Sequence, residues 1–87
     1  MAYHIKYTPR VMREDVPNIP MAHRAQIEKA INNRLAVAPL DFGKPLRHNL
    51  IGMRSLRVGD WRIGYYIKGE TVVIEHIELR RDAYKDW

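Results

Sequence analysis

The stretch RSLRVGDWRIGYYI, residues 54–67, constrains the fold more than any other part of the chain. Alternate residues of a strand point to opposite faces, so a period of two reads as a β-strand with one face buried. Around the turn Val58-Gly59-Asp60, one face takes Leu56, Val58, Ile63, Tyr65 and Ile67, and the other takes Ser55, Arg57, Arg62, Gly64 and Tyr66. Strands are expected at about 53–58, 61–68 and 71–79. The turns Val58-Gly59-Asp60 and Lys68-Gly69-Glu70 join them into an antiparallel meander. In the third of these, Val72, Ile74, His76 and Glu78 share one parity and Val73, Glu75, Ile77 and Leu79 the other. Neither set is purely apolar, the pattern expected of a β-bulge that switches the faces partway.

Upstream, Tyr3 to Tyr7 alternates and is β-prone, so it reads as a first strand. Thr8-Pro9 is a helix start: the threonine hydroxyl caps free backbone N–H groups, and proline loses nothing at the first helical position. A short helix is expected from Pro9 to about Val16, ended by Pro17 and Pro20. A second is expected from about Met21 to Ala36, with an apolar stripe of Ala22, Ala25, Ile27, Ala30, Ile31, Leu35 and Val37. Residues 38–52 read as a loop broken by Pro39, Gly43, Pro45 and Gly52. The order β-α-α-β-β-β gives an α+β fold. Two N-terminal helices pack on one face of a four-stranded, mainly antiparallel sheet, with a short helical turn at the C-terminus. The first strand returns to the sheet beside a later one. The helices cover the apolar face, so the Arg57/Arg62/Tyr66 face is expected to be open to solvent.

Eighty-seven residues suit one domain, 1–87. A chain this short buries only about 60% of its unfolded surface and leaves no room for an enclosed cofactor cavity, so no cofactor is expected. With no cysteine, neither a disulfide nor a thiolate nucleophile is available. His4 and His23 do not have the spacing of a metal site, and no metal is expected. No apolar run approaches the roughly 20 residues of a membrane span, and MAYHIKY has no signal-peptide core, so a cytoplasmic protein without membrane contact is expected. The net charge is +5, and much of it is local: Lys44, Arg47, Arg54, Arg57 and Arg62 face Asp60 alone in that segment. A concentrated basic segment points to nucleic acid or an acidic protein as partner.

Two pieces of the sequence then carry a family resemblance. KPLRHNLIGMRSLRVGDWRIGYYI followed by TVVIEHIELRRDAYKDW resembles the RelE/ParE superfamily of bacterial toxins from toxin–antitoxin pairs. The family pattern is a Leu/Gly-containing loop, an Arg-rich strand, a G-[DN]-[YW]-R-[VI]-x-Y turn and strand, and an Arg-Arg-x-x-Tyr end. It falls on Leu46 to Gly52, Leu56-Arg57-Val58, Gly59 to Tyr65, and Arg80-Arg81-Asp82-Ala83-Tyr84. The resemblance implies a RelE-like toxin of a type II toxin–antitoxin module: a metal-independent, ribosome-dependent mRNA endoribonuclease held inactive by a cognate antitoxin. Operator DNA would be met only through that antitoxin. The alternative within the superfamily is a ParE-like toxin that inhibits DNA gyrase by protein–protein contact.

Metal-free RNA cleavage needs a base for the 2′-OH, cations for the charge that builds on phosphorus, and an acid for the leaving 5′-oxygen. Guanidinium groups suit the second task because they grip phosphate through two parallel hydrogen bonds. By match to the family pattern, Arg62, Arg80 and Tyr84 are the catalytic candidates, Tyr84 as base-stacking or proton-transfer residue. Lys44, Arg47, His48, Arg54, Arg57 and Arg81 are the RNA-binding candidates. Two positions depart from the pattern: Ser55 stands where many RNA-cleaving members carry a cation, and Leu79 where many carry histidine or lysine. His48, His76, Lys44 and Arg54 are the available substitutes for the missing acid and base. Arg62 is alternatively a structural partner of Asp60, Glu75 or Glu78, and Met12, Val16 and Ile19 are expected as an exposed docking stripe.

Overall fold

A computed structural model describes residues 2–85 and 87. The fold is α+β, with a mixed sheet of five strands rather than the four expected. β1 is His4–Tyr7, β2 Lys44–Pro45, β3 Arg54–Val58, β4 Trp61–Lys68 and β5 Thr71–Leu79. Their spatial order is β1-β5-β4-β3-β2. β1 runs parallel to β5, and the other pairs are antiparallel. The added strand, β2, is two residues long and pairs Lys44 with Ser55 and Pro45 with Arg54. Proline lacks a backbone donor and is tolerated here because β2 is an edge.

The expected bulge is present and can be located. His76 pairs with Gly64 and Ile74 with Tyr65, so Glu75 is the extra residue. On its two sides Val72 and Ile74, then Ile77 and Leu79, share the face of Trp61, Ile63, Tyr65 and Ile67. One apolar face therefore runs the length of the β4–β5 pair. The first helical segment, capped by a Thr8 Oγ1 that accepts the Val11 N–H at 3.2 Å, is wound wide over Val11–Asp15 and tightens to a 3₁₀ turn over Val16–Asn18. Helix α1, Met21–Ala30, continues as a wide-wound segment Ile31–Leu35, and α2 is the single turn Pro39–Phe42. The stripe of α1 and its continuation is narrower than expected. Ile27, Ala30, Ile31 and Leu35 are buried, whereas Ala22, Ala25 and Val37 are exposed. Of the expected docking stripe, Met12 is exposed and Ile19 is buried, and Met12, Val16 and Ile19 line one groove.

β1 ends opposite Ile74, which leaves the far half of β5 as a sheet edge. Two side chains take the place of the missing strand. Arg10 donates to the Glu75 carbonyl, and Asp15 Oδ2 accepts the Ile77 N–H at 3.0 Å. The two are themselves paired at 3.0 Å. Buried backbone polar groups are costly when unpaired, and this pair satisfies one donor and one acceptor where β1 stops. None of the helices among the described residues is long and apolar enough to cross a membrane.

Candidate nucleic-acid interface

Strand register sets out the second sheet face in rows. Lys44, Ser55, Gly64 and His76 are neighbours across β2 to β5, and Arg57, Arg62 and Glu78 form the next row across β3 to β5. Arg57 lies directly opposite Arg62. Like charges directly opposite on neighbouring strands are destabilising. Glu78 is the cross-strand neighbour of Arg62 on β5, and its Oε1 lies 3.4 Å from His76 Nδ1. The recorded hydrogen bond of Arg62 is a long one, 3.4 Å, to the Trp61 carbonyl. Of the structural alternatives, Asp60, Glu75 and Glu78, the register places Glu78 directly beside Arg62.

This face is only partly open, in contrast to the expectation. After β5 the chain turns, with the Asp82 and Ala83 N–H groups bonded to the Leu79 carbonyl, and folds back over the first row. Tyr84 Oη donates to Ser55 Oγ at 3.0 Å, and Trp87 stacks on His76 with ring centroids 4.6 Å apart. Ser55, Gly64 and His76 are buried as a result. What stays accessible is a hollow of about 520 Å³ whose lining includes Lys44, Arg57, Arg62 and Tyr84. Arg34, from the end of the long helix, and Phe42, from α2, also line it. Neither residue carries a sequence signal that marks it, because the hollow is formed by elements distant in the chain.

Other candidates stand elsewhere. Arg54 has the parity of Leu56 and Val58, and its Nη2 donates to the Leu40 and Gly43 carbonyls at 2.9 and 2.6 Å. It braces the α2–β2 turn and does not face the hollow as an RNA-binding residue would. Arg80 and Arg81 line a separate hollow with Asp60 and Leu79. Arg80 continues the ladder by donating its N–H to the Asp60 carbonyl at 2.7 Å, two positions beyond Glu78, the partner of Arg62. That makes it a diagonal neighbour of Arg62, a separation of about 7–8 Å that long side chains can span. Arg47 and His48 are exposed on the loop before β3, and His48 has a left-handed backbone, φ 60°. Leu79 points to the helix side and packs on the core.

His76 is held rather than exposed. Arg10 Nη2 lies 2.8 Å from its Nδ1, and Glu78 Oε1 lies 3.4 Å from the same atom. Asp15, His76 and Glu78 bring possible ligand atoms within 4.8 Å of one another. The Arg10 guanidinium already supplies positive charge to that cluster through Asp15 and His76. Trp61 caps the sheet end and donates its indole N–H to His23 Nδ1 at 3.0 Å.

A small α+β domain with a basic hollow on a half-covered sheet face defines a class of nucleic-acid-directed or protein-directed binders. No protein-family model matches the chain. It is 36% identical over 87 residues to Toxin RelG of Mycobacterium tuberculosis, covering 98% of this chain and 99% of that protein. It is 34% identical over 85 residues to Toxin RelE of the same organism, covering 95% and 87%. A chain of the toxin–antitoxin complex RelBE2 from M. tuberculosis superposes with a TM-score of 0.85 at 34% identity, over 94% of this chain and 95% of that one. A chain of the archaeal RelE–RelB complex from Pyrococcus horikoshii shares the fold at 20% identity, with a TM-score of 0.70 over 95% and 100% of the two chains. The chain belongs to the RelE-like superfamily, the toxins of type II toxin–antitoxin systems.

Proposed function

We propose that this toxin is a metal-independent, ribosome-dependent mRNA endoribonuclease, neutralised by a cognate antitoxin. The observation that carries the reading is the Arg57–Arg62 pair, like charges face to face that line one hollow with Lys44 and the Tyr84 phenol. A sheet keeps such a pair at a cost unless an anion sits over it. A phosphodiester supplies that anion, and two guanidinium groups stabilise it most when charge builds in the transition state. In the reaction the 2′-oxygen loses its proton and forms a bond to phosphorus while the bond to the 5′-oxygen breaks and that oxygen gains a proton. Arg57 and Arg62 hold the non-bridging oxygens, and Arg80 reaches the same phosphate from its diagonal position. Tyr84, hydrogen-bonded to Ser55, is the proton-transfer or stacking group. The ribosome supplies the remaining alignment of the message.

The antitoxin partner is supported by the neighbours' structures, which are toxin–antitoxin complexes. An apolar groove of about 260 Å³, lined by Tyr7, Met12, Val16 and Ile31 among others, is the surface for its helix or strand. The second reading, gyrase inhibition by protein contact, is favoured by Ser55: the position is buried and bonded to Tyr84, so it offers no cationic or basic group. One experiment separates the two. The toxin is added to a translating extract and to a gyrase supercoiling assay. Codon-spaced mRNA 5′ ends with normal supercoiling support cleavage; intact mRNA with inhibited supercoiling supports the second reading.

A further inference from the structure

Trp87 has no part in the chemistry above, yet it is closely seated on this face. Its indole stacks on His76 with planes 9° apart and meets the Tyr84 ring edge-on at 4.6 Å. Gly64 lies beneath it: a Cβ there would come within 2.8 Å of the indole's Cη2 and Cζ3. Glycine inside a strand marks a place where another group approaches closely, and here the group is this ring. Among the described residues the buried indole N–H has no hydrogen-bond partner, and the contacts that seat the ring are its stacking on His76 and its packing on Gly64. Tyr84 meanwhile has φ 73°, a backbone conformation bulky residues rarely adopt, and such strain persists only where surrounding contacts over-determine it. The contacts that do so are the Ser55 hydrogen bond and the Trp87 ring.

We infer that Trp87 is a positioning residue: seated on Gly64 between His76 and Tyr84, its indole holds the strained Tyr84 with its phenol toward the arginine hollow. Its consequence for rate rests on the RNA-cleaving reading, whereas its geometry does not. Misplacing a reacting group by about 1 Å costs up to a hundredfold in rate.

The test uses Trp87→Ala, Trp87→Phe, Gly64→Ala and the double variant Gly64→Ala/Trp87→Ala in the full chain, each checked for a cooperative melt. The first readout is NMR of tyrosine-labelled protein. The Tyr84 ring protons, shifted by the indole in the wild type, move toward unstructured positions in Trp87→Ala and Gly64→Ala, while those of buried Tyr65 stay. The second is single-turnover mRNA cleavage in a translating extract. Trp87→Ala and Gly64→Ala lower the rate at saturating toxin about tenfold or more with the half-saturating concentration unchanged, Trp87→Phe restores most of it, and the double variant is no slower than either single one. Unmoved Tyr84 resonances overturn the inference. So does a raised half-saturating concentration at an undiminished maximal rate, which would make Trp87 a contact to RNA or ribosome, and so do losses that multiply in the double variant. Should one variant not fold, the others carry the same comparison. If the wild type cuts no message, the cleavage reading fails, and the NMR readout alone decides the role of Trp87.

Discussion

Replacing Asp15 tests whether two side chains really stand in for a strand along the open half of β5. In Asp15→Ala the buried Ile77 N–H loses its acceptor and Arg10 loses its carboxylate. A hydrogen bond to a charged group contributes about 1.5–3 kcal/mol, including the cost of stranding its partner. The Arg10–Asp15 ion pair adds up to about 1 kcal/mol, kept low because the arginine side chain is 36% exposed and screened by water. The sum is a loss of about 1.5–4 kcal/mol. For a domain of this size that lowers the melting temperature by about 6–32 °C, since each kcal/mol shifts it by about 4–8 °C. Asp15→Asn keeps an oxygen for Ile77 and gives up the charge, so it loses about half as much. Urea titration followed by circular dichroism gives both values. A loss below about 1 kcal/mol in Asp15→Ala, or an equal loss in both variants, would refute the strand-replacement reasoning.

Other outcomes follow from the same structure. Gly43→Ala puts a Cβ 1.9 Å from the Tyr65 hydroxyl, and that side chain is fully buried, so the variant loses about 3 kcal/mol or more in a thermal melt. The Tyr65 phenol is held above its ordinary value by burial, partly offset by Arg54, and Tyr7 is raised by burial and then by Glu28. The folded chain keeps these protons while the unfolded chain loses them near pH 10, so stability is full below pH 10 and falls as pH rises through the raised values. Urea titrations from pH 9 upward show that fall, and Tyr65→Phe flattens it. Binding to single-stranded RNA weakens with salt by about 0.7 log unit per log unit for each phosphate held. Arg57→Ala therefore lowers that slope by about 0.7, while Arg54→Ala, whose guanidinium serves two carbonyls, leaves it unchanged.

Much of the sheet is written in the chain because residues 54–68 alternate without interruption, and a buried face tolerates no slip in register. The broken parity of residues 72–79 also announced the bulge, although only the pairing of His76 with Gly64 locates it at Glu75. β2 was illegible: two residues, one of them proline, have no period. The replacement of a strand by Arg10 and Asp15 was equally hidden, since it depends on where β1 stops. Of the candidate site, Arg57, Arg62 and Tyr84 line one hollow, whereas Arg80 and Arg81 of the Arg-Arg-x-x-Tyr motif line another. Arg54 shares the parity of Leu56 and Val58, and its guanidinium bonds the Leu40 and Gly43 carbonyls. The cover over Ser55, Gly64 and His76 had one signal, the glycine in mid-strand, but nothing in the sequence joins it to Trp87.

The central claim is that Arg57 and Arg62 act on one phosphodiester with Tyr84. Single-turnover cleavage of a defined message in a translating extract, with Arg57→Ala, Arg62→Ala, Tyr84→Phe and the double arginine variant, tests it most directly. Loss of a transition-state charge stabiliser costs about 10²–10³ in rate. The account expects that loss for Arg62→Ala, a smaller one for Arg57→Ala, and a double variant well short of the product of the two. Cleavage that survives Arg62→Ala at the wild-type rate, or losses that simply multiply, would contradict a shared phosphate.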